Sequence, residues 1–584
     1  MCLTSALRYR SSSTMVTEGL VSSCILFKVL DSTLLPSIEP CTSSSSTWSV
    51  IELWLQDCVD HDQCGSRNNS EFIPTRLLKL TVHESDCSFR VVSRSEVEAG
   101  SHYLTLSHCW GTQEWDEKLI LTQSNKSSLE QEQSISILPN TFKDAFEVLK
   151  RLGERYLWID RFCIQQDSLD DWRVESACMK EVYSNSYLNI AALGSDNDSG
   201  GCFYNRHDFS DLCLATVQVC WKSPHEPVTY RLRSTDASVI ASWRGEPLLE
   251  RAWVLQERFL SPRVLYFGSR QVFWECHSLH ASELQPSLSL RKHEPSNLGK
   301  TLISLADYPE TPQSQNNNND LFRGWYLLLK EYTKLDLTNA NDKLVAVSAI
   351  AKRLQNLLEL AGLNSEYLAG IWKQQLPYSL LWYRVSGPGL TLSHECLKDT
   401  PSWSWAAVDA RCVFLDSEDM RSNSTILVSS RVTTPHNGVT TVDQFTNTQG
   451  IELILSGTKM PARVYRNTYS DGGFLRIRSL GDIDPRFLQT KFPPTKVQES
   501  VIHTDHPEEH EYSGGGIVEQ DVWCLPIVYS VYTDQEPEIR LYCLVLRPME
   551  KSYKRIGLAV INIQEKAVLL EEMRKSPGED IQIM

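Results

Sequence analysis

Between residues 103 and 193 the apolar positions switch repeatedly between a strand period and a helix period. Tyr103–Ser107 is a short β-type run. Phe142, Ala145, Phe146, Leu149 and Leu152 then recur at i, i+3, i+4, i+7 and i+10, which marks one buried helix face. Thr141 at its head, with Asp144 three residues on, predicts the cap, and Gly153 predicts the stop. Tyr156–Ile159 reads as a second strand, Asp171–Ser184 as a second helix and Tyr187–Leu193 as a third strand. Strand–helix–strand–helix–strand with short links predicts right-handed crossovers and a parallel sheet in an α/β fold. Open parallel sheets bind ligands at the carboxyl ends of their strands. Here those ends carry His108-Cys109-Trp110-Gly111, Asp160-Arg161-Phe162 and Gly194-Ser195-Asp196.

Outside this stretch the pattern is looser. Residues 1–47 are Ser/Thr-rich and irregular, and read as a leader outside the fold or as sequence ahead of the authentic start. Arg76–Leu80 and Phe89–Ser93 read as short strands around a turn at Glu84–Ser88. Gln313–Asp320 contains a run of Asn that cannot build a core, and reads as linker. Leu321–Leu360 is helical by spacing. From about Ser402 to Ile563 the chain is strand-rich, with runs at Thr425–Val432, Ile451–Ser456 and Glu538–Leu546. The expected division is 1–100, an irregular region with short strands; 101–276, the α/β domain; 277–320, a linker, Asn-rich at its end; and 321–584, a helical then β-rich region.

Composition narrows the function classes. A chain of 584 residues implies two or three domains. With 41% hydrophobic residues, 16 Trp and 21 Tyr it can bury enough surface to fold. A net charge of -16 without a basic stripe argues against a nucleic-acid partner. No run approaches the ~20 apolar residues that span a bilayer, and Leu20–Leu30 is too short and too polar for a secretory signal. The 17 cysteines are scattered and odd in number, which suits reduced thiols in a cytoplasmic protein. Cys58, His61 and Cys64 invite a zinc reading. No fourth ligand stands at a convincing spacing, so the expectation is a metal-free chain.

On the second predicted helix, Trp172, Cys178, Met179, Val182 and Tyr183 form one apolar arc, and Glu175 falls inside it. A carboxylate there must be paired, neutral or facing a cleft. Two readings stay open: a structural Glu bonded to backbone or to an Arg such as Arg161, and a ligand-facing Glu. Cys109 beside His108 is no catalytic dyad, because neighbouring strand side chains point to opposite faces. Trp110-Gly111 either forms a ligand wall or a turn with a core Trp. Asp160 either faces a ligand or caps the following loop. Arg251, Trp253, Gln256 and Glu257 read as an ion-pair and packing cluster. There is no P-loop and no dinucleotide fingerprint.

The blocks "YLTLSHCWG" (103–111), "LPNTFKDAFEVLKRLGERYLWIDRFCIQQD" (138–167) and "DWRVESACMKEVYSNSYLNIAAL" (171–193) resemble the successive signature blocks of the fungal heterokaryon-incompatibility (HET) domain. "ERAWVLQERFLSPRVLYF" (250–267), "FWEC" (273–276), "YLAGIWKQQLPYSLLWY" (367–383) and "PSWSWAAV" (401–408) resemble segments that follow it in long HET proteins. Arg161 departs from the small Ser that the family more often has after the Asp. The resemblance implies a cytoplasmic factor in fungal self/non-self recognition and programmed cell death, working with protein partners as a homo- or hetero-oligomer. HET domains in turn resemble TIR domains, which implies a TIR/flavodoxin-like parallel sheet. Several TIR domains hydrolyse NAD with the Glu of a W-x-x-E pattern, and Trp172-Arg173-Val174-Glu175 has that spacing. By that remote likeness Glu175 is the catalytic candidate, and Trp110, Gly111, Asp160 and Trp172 are the binding candidates. NAD would be a substrate, with no cofactor or metal. The alternative implied is a non-catalytic adaptor that oligomerises through the same domain.

Overall fold

The computed structural model describes residues 24–28, 39–59, 64, 72–84, 86–111, 119–206, 215–219, 228–234, 245–283, 286, 317–385, 400–415, 424–433, 445, 448, 451–467, 473–476, 500–504, 517–532, 538–563 and 578–584. The chain divides into two compact units, Met1–Ala306 and Asp307–Met584.

The first unit is built on a nine-stranded mixed sheet. Its strands are β1 (Arg76–Val82), β2 (Cys87–Ser93), β3 (Leu104–Ser107), β4 (Gln133–Ser134), β5 (Tyr156–Trp158), β6 (Leu188–Ala191), β7 (Arg263–Phe267), β8 (Val272–Cys276) and β9 (His280–Ser282). Side by side they run β9-β8-β7-β6-β3-β5-β1-β2-β4. β3 pairs in parallel with β5 and with β6, and β6 with β7, so the centre is the expected parallel sheet. The flanks are antiparallel: β1 lies against β5 and turns into β2, while β7, β8 and β9 form a meander. Thus β1 and β2, the short strands expected within 1–100, and β9, from the expected linker, share the sheet with the signature blocks. Ladders between distant segments leave no period along the chain, so that pairing has no local signal.

Among the described residues the longer helices of this unit are α1 (Ser45–Val59), α2 (Asn140–Arg151), α3 (Leu169–Ser184) and α4 (Ala252–Leu260). Alternation along the central strands sends Leu104, Leu106, Leu157, Leu188 and Ile190 to one side, where they pack with Phe142, Phe146 and Leu149 of α2. Tyr103, Tyr156 and Trp158 face the other side, against Met179, Val182 and Tyr183 of α3. Gly153 ends α2 as predicted, with φ +72°, and the Glu154 N–H reaches back to the Leu149 carbonyl at 3.0 Å. The head of α2 differs from expectation. Pro139 takes the cap position, while Thr141 Oγ1 accepts the Gly201 N–H at 3.1 Å and Asp144 accepts those of Cys202 and Phe203 at 2.7 and 3.2 Å. These polar side chains hold a distant loop instead of the helix's own start.

The reading of residues 1–47 as wholly irregular is corrected by the structure. α1 begins at Ser45, the Thr42 N–H donates to the Tyr204 carbonyl at 3.0 Å, and buried Thr47 donates to Glu283 at 2.8 Å. Hydroxyls that look like loop composition serve as buried hydrogen-bond partners here. Cys24–Lys28, Val228–Ser234 and Ala215–Val219 form a separate three-stranded antiparallel sheet.

In the second unit the predicted helical stretch is two helices, Asn317–Tyr332 and Val345–Leu360. The first helix takes up Asn317, Asn318 and Asn319, so the end of the Asn run is not linker; residues 287–316 lie outside the described residues. The β-rich expectation corresponds to a ten-stranded sheet that includes Ile517–Tyr532, Glu538–Pro548 and Tyr553–Ile563. Among the described residues no helix is long and apolar enough to cross a membrane.

Candidate functional site

β3 and β5 end side by side, and the residues that follow them meet. The Trp110 indole N–H donates to Asp160 Oδ2 at 2.8 Å. The His108 ring stacks on Trp110, with centroids 6.4 Å apart, and meets Phe142 of α2 edge-on. Its Nε2 lies 3.9 Å from Asp160 Oδ1. The Arg161 guanidinium lies 4.7 Å over the Trp110 ring, donates to the Trp110 carbonyl at 2.8 Å and pairs with Asp198 at 2.7 Å. Arg251 donates to the His108 carbonyl from the other side. Both carboxylates of this group keep contact with solvent, the Asp160 side chain 30% exposed and that of Asp198 25%.

The electrostatics follow from that crowding. Burial pushes the Asp160 carboxyl up, while the Trp110 hydrogen bond, Arg251 and Arg161 pull it down. His108 is driven well below its usual range, first by burial and then by Arg161 and Arg251, so its imidazole is neutral at physiological pH. Asp160 also accepts the Arg161 N–H at 2.8 Å, so its capping role and its place at the edge coexist. Gly111 has φ +78°, and a Cβ there would stand 2.8 Å from that of Asn197. Its small size lets the 195–198 loop close over the turn.

The other two candidates lie under the opposite face of the sheet. Glu175, inside the buried arc of α3 as the helix spacing required, has a side chain only 4% exposed. Its Oε1 is 3.5 Å from an Arg76 guanidinium nitrogen, and the same guanidinium pairs with Asp171. Burial raises the Glu175 pKa, and a hydrogen bond from Thr75 and the charge of Arg76 oppose it. Half-buried Trp172 packs with Trp253 against the Tyr156–Trp158 layer. The structure therefore brings Trp110, Gly111 and Asp160 together at the edge and leaves Trp172 and Glu175 on α3, packed toward the opposite face of the sheet. The partner of Glu175 is Arg76, from a strand that looked separate in sequence; Arg161 is committed to Asp198 and Trp110.

Comparison with known families matches residues 103–257 to the model of the heterokaryon incompatibility protein (HET). The chain carries a HET domain. The comparisons with curated proteins and with solved structures find no match. The matched span runs from the residue before β3 into α4 and contains every edge residue described above, while Arg76 of β1, the partner of Glu175, lies outside it.

Within the HET domain lies a polar network that the sequence reading did not assemble. Thr105 of β3 donates to Asn189 of β6 at 3.1 Å, the Asn189 amide donates to Ser107 of β3 at 2.9 Å, and Ser107 donates its one hydroxyl proton to Glu257 of α4. All four are buried. Burial, reinforced by the charge of Asp160, pushes Glu257 up to about 7 despite its hydrogen bond from Ser107. The expected ion-pair cluster at 251–257 thus takes a different form, with Arg251 bound to the His108 backbone and Glu257 to a strand serine. The available signal was the polar Thr105, Ser107 and Asn189 at alternate positions in otherwise apolar strands. Cys109 packs with Ala191, Leu193 and Val254, away from His108, as strand alternation predicted.

Proposed function

We propose that this chain is an effector of heterokaryon incompatibility whose HET domain, TIR-like in plan, cleaves the nicotinamide–ribose bond of NAD at the carboxyl edge of its sheet. The supporting observation is Asp160, a partly exposed carboxylate at the end of a central parallel strand, held by the Trp110 indole and flanked by a neutral imidazole. In this reaction the C1′–N bond breaks with its electron pair leaving on nicotinamide. Water adds its oxygen to C1′ and gives up a proton. The ribose passes through a cationic centre that a nearby carboxylate stabilises. In this reading Asp160 takes that role, Trp110 supplies the stacking wall, and Glu175 holds the fold. Loss of NAD then accounts for cell death.

A second reading, the non-catalytic adaptor, is favoured by one observation: the Glu of the W-x-x-E pattern is buried and bound to Arg76. Concentrated full-length chain incubated with NAD tests the choice. Release of nicotinamide by the wild type and by Glu175→Gln, but not by Asp160→Asn, supports cleavage at the edge. No release from a folded chain that still arrests growth contradicts it and leaves the adaptor.

A further inference from the structure

Cys58 in the last turn of α1, Cys64 just beyond it and Cys276 at the end of β8 converge, their sulfur atoms all within 4.8 Å of one another. Each is buried, at 0%, 1% and 4% exposure. We propose that these three thiolates, with one further donor completing a tetrahedron, hold a zinc ion that ties α1 to the β8–β9 hairpin. Sequence spacing set zinc aside because Cys58, His61 and Cys64 lacked a further ligand; folding supplies Cys276 from far along the chain. His61 lies outside the described residues.

Two independent features fit the charge of such a centre. Tetrahedral zinc–thiolate bonds of about 2.3 Å put sulfurs about 3.8 Å apart, so the triangle needs only a small contraction. The Leu279 N–H donates to Cys276 Sγ at 3.3 Å and the Arg263 Nε–H to Cys58 Sγ at 3.2 Å, the kind of donors that orient and stabilise thiolate ligands. Arg263 is itself buried, and among the described residues no carboxylate pairs with it. Its other partners are the Tyr187 carbonyl at 3.1 Å and the Tyr187 ring. A buried guanidinium needs a negative neighbour, and the thiolate cluster is that neighbour. Soft, all-sulfur surroundings select zinc over magnesium or calcium. With Trp54 stacked on Trp274 at 6.2 Å nearby, the ion would complete the attachment of α1 to the sheet.

Full-length chain purified without chelator is analysed for metals. The expected result is one zinc per chain, lost in Cys58→Ser and Cys276→Ser and kept in Cys87→Ser, whose thiol lies on β2. Should the serine variants fail to fold, cobalt exchange into the wild type gives a second readout: intense thiolate-to-cobalt charge-transfer bands and tetrahedral ligand-field bands. A folded wild type with neither zinc nor cobalt–thiolate bands overturns the proposal. So does zinc retained by folded Cys276→Ser, or a disulfide between two of the three cysteines in the freshly purified chain.

Discussion

The two faces of the central sheet are made by the same strands and differ sharply in chemistry. Toward α2, β3, β5 and β6 present Leu104, Leu106, Leu157, Leu188 and Ile190 to Phe142, Phe146 and Leu149. Toward α3 and α4 the alternate positions present Thr105, Ser107 and Asn189 beside Tyr156 and Trp158, and the facing helices carry Glu175 and Glu257. One face is an ordinary hydrophobic core. The other buries carboxyl groups whose pKa values burial raises. A buried carboxyl with a raised pKa invites a catalytic reading, yet Glu175 has a cationic partner in Arg76 and little exposure. Asp160, a partly exposed carboxylate, stands at the edge between the faces.

The largest effect should come from the apolar face. Phe142→Ala removes a fully buried ring that meets Phe162 and His108, and should cost about 3–5 kcal/mol in thermal or denaturant unfolding. A loss under about 1 kcal/mol would mean that α2 does not close a core, since such truncations normally leave a cavity. Next comes Arg76→Ala, which strands Glu175 and Asp171 and should cost about 1–3 kcal/mol at pH 8. That loss should shrink as pH falls and Glu175, its pKa raised by burial, takes up a proton and needs no cation. Adding Glu175→Gln to Arg76→Ala should recover part of the loss; strict additivity would disprove the pairing.

The smallest shift, with the most distinctive pH signature, belongs to Glu257. Its folded pKa of about 7 exceeds that of an unfolded Glu, so the folded chain binds more protons across the interval between them. Wild-type stability from this group therefore falls as pH rises from about 4.3 to about 7. Glu257→Gln should remove that slope, raising the melting temperature relative to wild type at pH 8 more than at pH 5. Parallel pH profiles for the two proteins would contradict the assignment.

What was legible in the sequence was local. β3, α2, β5, α3 and β6 follow from apolar periods within single segments, and the burial of Glu175 follows from its position on the helical arc. The identity of its partner does not, because Arg76 reaches it only through the pairing of β1 with β5. Cys276 joins Cys58 for the same kind of reason, through the β7–β8 hairpin. Arg161 shows a third limit. Its bulk marked a departure from the family pattern, but only the fold reveals that the guanidinium fills the space between Trp110 and Asp198.

The division of roles between edge and buried face is tested most directly by expressing full-length Asp160→Asn and Glu175→Gln at matched levels in a fungal host under an inducible promoter. Growth arrest, cellular NAD and the melting temperature of each purified protein are then compared. Asp160→Asn should keep the wild-type melting temperature and lose both growth arrest and NAD depletion. Glu175→Gln should melt lower and, at a temperature where it is folded, still deplete NAD and arrest growth. A stably folded Asp160→Asn protein that kills and depletes NAD like the wild type would contradict the account, as would a stably folded Glu175→Gln protein that does neither.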